Sequence, residues 1–258
     1  GSRASADAVG DAGAGFDITR FTVRNDDAGR ISFRVDMPAV ATLPENLGLL
    51  LLLDTDLRRE AEPIDHVITF TKGTAVVAAV SGSAGGSPYI PRSLKAAFTP
   101  GAVTISVHRD DLGGTRAMLA GAASFTISPA GEPNLETDTD AVPESDLLPF
   151  ALKLPTRLLV RSSNLSPARP AAGGTFRAAL FVRDVTFGAP GEPASGGRVT
   201  CAFSAGGRKV TARGSLNAAG RASCAGTVPA GATGRLTGTI TYAQNGARVT
   251  RTFAGSLR

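Results

Sequence analysis

Apolar and polar residues alternate along much of this chain, and glycine, proline, asparagine or aspartate interrupts the alternation at short intervals. A period of two puts every second side chain on one face of an extended strand. The stretches 21–24 and 30–35 both alternate, and Asn25, Asp26, Asp27, Ala28 and Gly29 between them are turn residues. They predict a hairpin with Ile31, Phe33 and Val35 on one face. Residues 49–53 are all leucine, apolar on both faces, which predicts a central strand; it runs into Asp54, Thr55 and Asp56. Stretches 65–70 and 74–80 predict a second hairpin around Lys72 and Gly73, and 81–87 a Gly/Ser-rich turn. Stretch 102–108 sets Val103, Ile105 and Val107 on one face and His108 on the other, and 117–127 closes the series. Asp110 reads as the cap of a turn or single helical turn through Asp111, Leu112 and Gly113.

A second series predicts strands at 175–187, 198–204, 208–215, 221–228, 235–242 and 247–253. Gly206-Gly207, Ala219-Gly220 and Asn245-Gly246 separate them, and Asn-Gly is a strong two-residue hairpin signal. Consecutive strands usually pair, so a meander is expected for the last ones. Between the two series, residues 129–149 contain Pro129, Pro133, Pro143 and Pro149. That segment and its approach also hold Glu132, Glu136, Asp138, Asp140, Glu144 and Asp146, and no basic residue. Such composition predicts an extended linker, the alternative being that its charge lays it against the Arg-rich second series. The expected architecture is all-β: a flexible N-terminus over 1–15, a β-sandwich over 16–128, the linker over 129–149 and a second sandwich over 150–258. Both are expected to be antiparallel, in tandem.

Charge sharpens this division. Residues 1–140 carry 12 Lys/Arg against 18 Asp/Glu, and residues 141–258 carry 15 against 4. The overall +5 therefore describes neither half. Hydrophobic content of 42% suffices for packed cores. Positive charge is nearly all Arg, and with abundant Ala and Gly this looks like a high-GC bacterial composition. The longest apolar run, residues 47–53, has seven residues including Gly48, far below a membrane span. Gly1-Ser2 looks like a cloning scar, and the stretch to Gly15 like the start of a mature exported product.

The two cysteines, Cys201 and Cys224, both lie in stretches that read as strands. One pair with none left over predicts a disulfide and an oxidising compartment, two buried free thiols being the alternative.

The first series resembles a known group once its segments are joined. Asp17 to Val35, Leu49 to Asp56, Asp65 to Ile68, and Thr104 to Gly113 together resemble DOMON and family-9 carbohydrate-binding-like sandwiches of exported bacterial proteins. The resemblance implies a sandwich that binds sugar, haem or metal, or is purely structural. Family-9 modules clamp sugars with tryptophan, and this chain has no Trp. The second series resembles bacterial immunoglobulin-like sandwiches at Gly197 to Ala202, Gly220 to Cys224, Leu236 to Thr241 and Asn245 to Phe253. It departs from the antibody pattern in its closely spaced cysteines and in lacking the tryptophan that packs on them.

Metal binding is the most specific chemistry on offer. Asp54 and Asp56 stand two apart at a strand end, Asp65 follows a short loop, and Asp26 and Asp27 form another acidic turn. Clustered loop oxygens suit Ca²⁺, although Arg58 and Arg59 lie in the intervening loop and the aspartates equally serve as turn caps. Haem would need axial ligands from Met37, Met118, His66 and His108, and His108 reads as a surface or half-buried residue. No nucleophile elbow, zinc-protease motif or phosphate loop is present. The arginines are scattered singly, which reads as solvated strand faces rather than as a specific nucleic-acid site. The sequence therefore predicts a non-catalytic, secreted or cell-surface structural or adhesion module of a bacterial exported protein. It needs no cofactor beyond possible Ca²⁺, and its partner is an envelope polysaccharide or another surface protein. The competing readings are a carbohydrate-, Ca²⁺- or haem-binding first sandwich and a carboxylate-based hydrolase.

Overall fold

The structure, a computed structural model, describes residues 1–11, 16–57, 64–72, 74–79, 88–134, 139–144 and 146–258, with backbone alone at 78 and 79. The chain divides into two compact units, Gly1–Leu154 and Pro155–Arg258. Both are β-sandwiches.

The first unit contains β1 (Ser2–Ala6), β2 (Arg20–Asn25), β3 (Arg30–Asp36), β4 (Leu47–Asp54), β5 (His66–Thr71) and β6 (Thr74–Ala79). It continues with β7 (Lys95–Thr99), β8 (Ala102–His108), β9 (Ala117–Ile127), β10 (Pro133–Asn134), β11 (Asp140–Val142) and β12 (Leu148–Ala151). One sheet runs β1-β2-β3-β8-β7, the other β10-β9-β4-β5-β6, with β11 and β12 also pairing β9. The expected hairpin of β2 and β3 forms, with Val23 opposite Phe33. Ile31, Phe33 and Val35 are buried together, and the Phe21 and Phe33 rings stack 6.3 Å apart. The leucine strand β4 lies between β5 and β9. Leu47, Leu49, Leu51 and Leu53 are fully buried and Leu50 and Leu52 partly so, as a strand apolar on both faces requires. Burying each leucine contributes about 1.5–3 kcal/mol of transfer free energy. Gly48 is there because the Phe125 ring crosses it; a Cβ at 48 would lie 2.2 Å from that ring.

Three expectations for this unit are corrected. The N-terminal 1–15 segment is not simply flexible: Ser2–Ala6 is a strand hydrogen-bonded along β2, from Ser2 opposite Arg24 to Ala6 opposite Arg20. The 129–149 segment is not a linker; β10, β11 and β12 line up antiparallel on β9. The physical reason is a short alternation hidden by the acidic composition. Val142, Phe150 and Leu152 are 1%, 3% and 6% exposed, while Ala141 and Ala151 face out. Pro133 and Pro149 are tolerated because these strands are short and lie at the sheet margin. Finally, the helical turn Arg109–Leu112 is a 3₁₀ turn whose cap is His108, not Asp110: the His108 side chain accepts the Asp110 N–H.

The second unit contains β13 (Leu158–Ser166), β14 (Thr175–Asp184), β15 (Glu192–Pro193), β16 (Arg198–Ala205), β17 (Arg208–Val210), β18 (Ala212–Leu216), β19 (Arg221–Thr227), β20 (Arg235–Gln244) and β21 (Ala247–Ser256). Its sheets run β13-β14-β19-β18, with β15 on β14, and β17-β16-β20-β21. That strand order is the A-B-E-D and C′-C-F-G order of an immunoglobulin-like sandwich. The stretch 208–215, expected as one strand, is two: β17 pairs β16 and β18 pairs β19, so the chain changes sheet at Thr211. The meander is likewise corrected. β20 and β21 do form the Asn245-Gly246 hairpin, with φ of 46° and 82°, but β19 pairs β14 and β18 in the other sheet. Phe176, Leu180, Val182, Phe203, Leu236, Ile240, Tyr242 and Phe253 fill the space between the sheets.

Candidate functional site

The β4–β5 hairpin brings the two halves of the acidic motif together. Leu53 pairs with His66, and the Asp65 N–H donates to the Leu53 carbonyl at 2.8 Å. Asp54, Asp56 and Asp65 consequently each place a carboxylate oxygen within 4.8 Å of the others. Much of this oxygen is already engaged. Asp65 Oδ2 accepts from the Thr55 N–H at 2.6 Å, the Asp56 N–H at 3.0 Å and the Thr55 hydroxyl at 3.1 Å. Asp54, 4% exposed, accepts the Leu57 N–H at 2.8 Å and holds Leu57 at a φ of 55°. Arg58 and Arg59 lie outside the described residues. Burial lowers the pKa of neighbouring His66, with Asp65 opposing the shift, so His66 favours its neutral form.

Asp26 and Asp27 do not join that group. They sit in the β2–β3 turn, where Asp26 Oδ1 accepts the Ala28 and Arg30 N–H groups, both at 2.9 Å. The candidate haem ligands are also committed locally. Met37 and Met118 are 0% and 1% exposed in the core. His108 Nδ1 accepts the Asp110 N–H, and its Nε2 lies 2.9 Å from the Ala28 carbonyl. A cleft of about 280 Å³ borders β1, β9 and β12, lined by residues including Arg3, Leu57, Met118, Phe150 and Lys153. Among the described residues its lining carries the Arg3 and Lys153 side chains and the Gly1 ammonium, with no carboxylate or imidazole to make an acid–base pair.

A second carboxylate cluster escapes sequence reasoning. Asp7 and Asp11 follow β1, Asp17 precedes β2, and Asp140 and Glu144 belong to the segment read as a linker. Oxygens of Asp7, Asp11 and Glu144 gather within 4.8 Å of one another, and so do those of Asp11, Asp17 and Asp140. Asp140 is 7% exposed and accepts the Ile18 N–H at 2.5 Å. Among the described residues, Asp7 Oδ2 is buried without a hydrogen-bond partner. Burial, together with Asp140, Asp11 and Glu144, pushes the Asp7 pKa up to about 6, against a hydrogen bond from the Ala8 N–H. Burial likewise raises Asp140. The β1–β2 pairing brings Asp7, Asp11 and Asp17 near one another, the pairing of β11 onto β9 adds Asp140 and Glu144, and no local motif encodes the second pairing.

In the second unit Cys201 on β16 and Cys224 on β19 form the expected disulfide, with Cα atoms 5.9 Å apart. It joins the two sheets between the strands in C and E positions, not the B and F positions of antibody domains.

No protein-family model matches the chain, and no curated protein does. Solved structures do. An I-band fragment of titin aligns at 11% identity and a TM-score of 0.34, over 90% of this chain and 60% of the fragment. A four-domain ICAM-5 ectodomain fragment aligns at 14% identity and a TM-score of 0.35, over 89% of this chain and 49% of that one. A two-domain fragment of Rst aligns at 9% identity and a TM-score of 0.36, over 92% and 95%. The chain thus spans less than two thirds of the titin and ICAM-5 fragments it matches.

Proposed function

We propose that the chain is a non-catalytic structural or adhesive module working outside the cytosol, as part of the surface of an exporting bacterium. The observation that carries this is the inter-sheet disulfide of the second sandwich. Such bonds persist in oxidising compartments and are rare in the cytosol. Closing that loop stabilises the unit by about 3 kcal/mol on the chain-entropy estimate. Local engagement of both histidines and the acid–base-poor cleft support the non-catalytic part. The test is alkylation of protein taken directly from the cells that produce it, combined with protease treatment of the intact cells. Cys201 and Cys224 are expected to be oxidised and the chain accessible. Reduced thiols in a protected chain overturn the reading.

A second reading is favoured by the gathered carboxylates of Asp54, Asp56 and Asp65. Three hard oxygen ligands at a loop mouth suit Ca²⁺, with Thr55 and the turn fixing their positions. Millimolar calcium is expected to raise Tm by a few degrees, following the mass-action stabilisation of a folded state that binds an ion. Asp56→Asn is expected to abolish the rise. An unchanged Tm in the unsubstituted protein overturns this reading.

A further inference from the structure

The arginines of the second unit are isolated along the sequence but not on the sheet. This unit, residues 155–258, carries 14 Lys/Arg against two acidic residues. On β14 the residues at 176, 178, 180 and 182 are buried, which turns Arg177, Phe181 and Arg183 outward. Register then sets Arg177 opposite Ala225, Ala225 opposite Arg213, and Phe181 opposite Arg221. Four arginines from three strands therefore share one outer face. Between them lie small residues over which the larger side chains close: Ala179, 0% exposed, opposite Ser223, 6% exposed, and Ser223 opposite Ser215, the two hydroxyls 2.9 Å apart. With strands about 4.8 Å apart, Arg177 and Arg213 stand at roughly 10 Å backbone separation on either side of Ala225, in the row next to these small residues.

Two apolar side chains are exposed on the same face. Phe181 is 37% exposed, and Leu159, opposite Arg183, is 41% exposed. The Arg221 guanidinium stands over the Phe181 ring, 5.3 Å from its centroid, and its Nε is buried without a hydrogen-bond partner. Among the described residues, Arg221 is thus positioned by a ring, not by an anion. The unit's two acidic side chains stand opposite each other at one end of this sheet, Asp184 on β14, where it takes the Thr186 N–H and hydroxyl, and Glu192 on β15. The opposite outer face, on β16, β20 and β21, also sets two arginines across an alanine, Arg198 and Arg248 on either side of Ala243, but among the described residues it exposes no aromatic ring. Arg198, Arg235 and Arg248 stand there among threonines whose hydroxyls pair with one another, as Thr241 and Thr250 do at 2.9 Å.

We propose that the outer face of β13-β14-β19-β18 docks an anionic polysaccharide, with Arg177, Arg213 and Arg221 taking its carboxylates and Phe181 taking the apolar face of a sugar ring. The proposal rests on the adhesive reading above and supplies its partner. Charge complementarity carries it, since guanidinium binds carboxylate bidentately and rings pack on apolar sugar faces. Nucleic acid fits less well. A flat sheet face does not enter a duplex groove, and single strands call for successive stacking rings where this face offers one.

The test uses the full chain with polygalacturonate, its fully methyl-esterified form and single-stranded oligothymidylate. Two triple variants remove equal charge, Arg177→Gln with Arg213→Gln and Arg221→Gln, and Arg198→Gln with Arg235→Gln and Arg248→Gln. The first is expected to weaken polygalacturonate binding about tenfold or more and flatten its salt dependence, the second to change it by about twofold or less. Thermal melts establish that both fold. Should the first not fold, the corresponding Arg→Lys triple keeps the charge, loses bidentate contact and is expected to weaken binding in the same direction. Equal weakening by both triples, equal binding of the ester, tighter binding of oligothymidylate, or no binding by the unsubstituted chain each overturn the proposal. Reduced, protected thiols in cells would instead overturn the compartment and leave the binding face standing.

Discussion

Asp7 shows what a single residue contributes here. Its carboxylate shares a corner of the first sandwich with Asp11, Asp17, Asp140 and Glu144, and its pKa rises to about 6 from an unfolded value of 3.8. The folded state therefore holds its proton over a pH range where the unfolded state has lost it. That contribution to stability is fully present below about pH 4 and is lost as pH rises through 6. Raised Asp140 acts in the same direction. Asp7→Asn is expected to stabilise the protein at pH 7 by about 1 kcal/mol, with part of the shift discounted because solvent reaches this side chain. Melting curves at pH 4.5 and 7 check it: the gain is expected to be largest at pH 7 and to fall to roughly a third of that at pH 4.5. At the same scale, Asp54, Asp56 and Asp65 were legible as a group because a single hairpin closes over them. The Asp7 group was not, because Asp7 and Asp140 lie far apart in sequence and meet only through the packing of β11 beside β9.

Among the elements, long strands with uninterrupted alternation were readable and short ones were not. β3, β4 and β8 carry enough consecutive pattern to be recognised without knowledge of their partners. β11 and β12 span three and four residues, and their acidic surroundings suggest solvation. What holds them is the apolar side chains they insert, Phe150 above all, at 3% exposure opposite Met118. Phe150→Ala is expected to cost about 3–5 kcal/mol, the usual penalty for truncating a buried phenylalanine. Denaturant unfolding of the full chain checks it. A change below about 1 kcal/mol would mean that the segment contributes little to the first unit. The division at Thr211 was unreadable for a different reason: β17 and β18 alternate almost continuously, and only their partners tell the two sheets apart.

For the whole molecule, alternation, turn residues and a paired cysteine count sufficed to predict two antiparallel β-sandwiches and one disulfide, because each is written in local chemistry. The change of charge sign was also in the sequence, and the structural boundary sharpens it: Gly1–Leu154 carries 13 Lys/Arg against 20 Asp/Glu, Pro155–Arg258 14 against 2. Where one unit ends, which sheet each strand joins and which arginines share a face were decided only in three dimensions. Pairing between strands distant in sequence depends on side chains fitting together across the sandwich, and register then places Arg177, Arg213 and Arg221 on one outer face. Local pattern carries the period of a strand but not the identity of its neighbour.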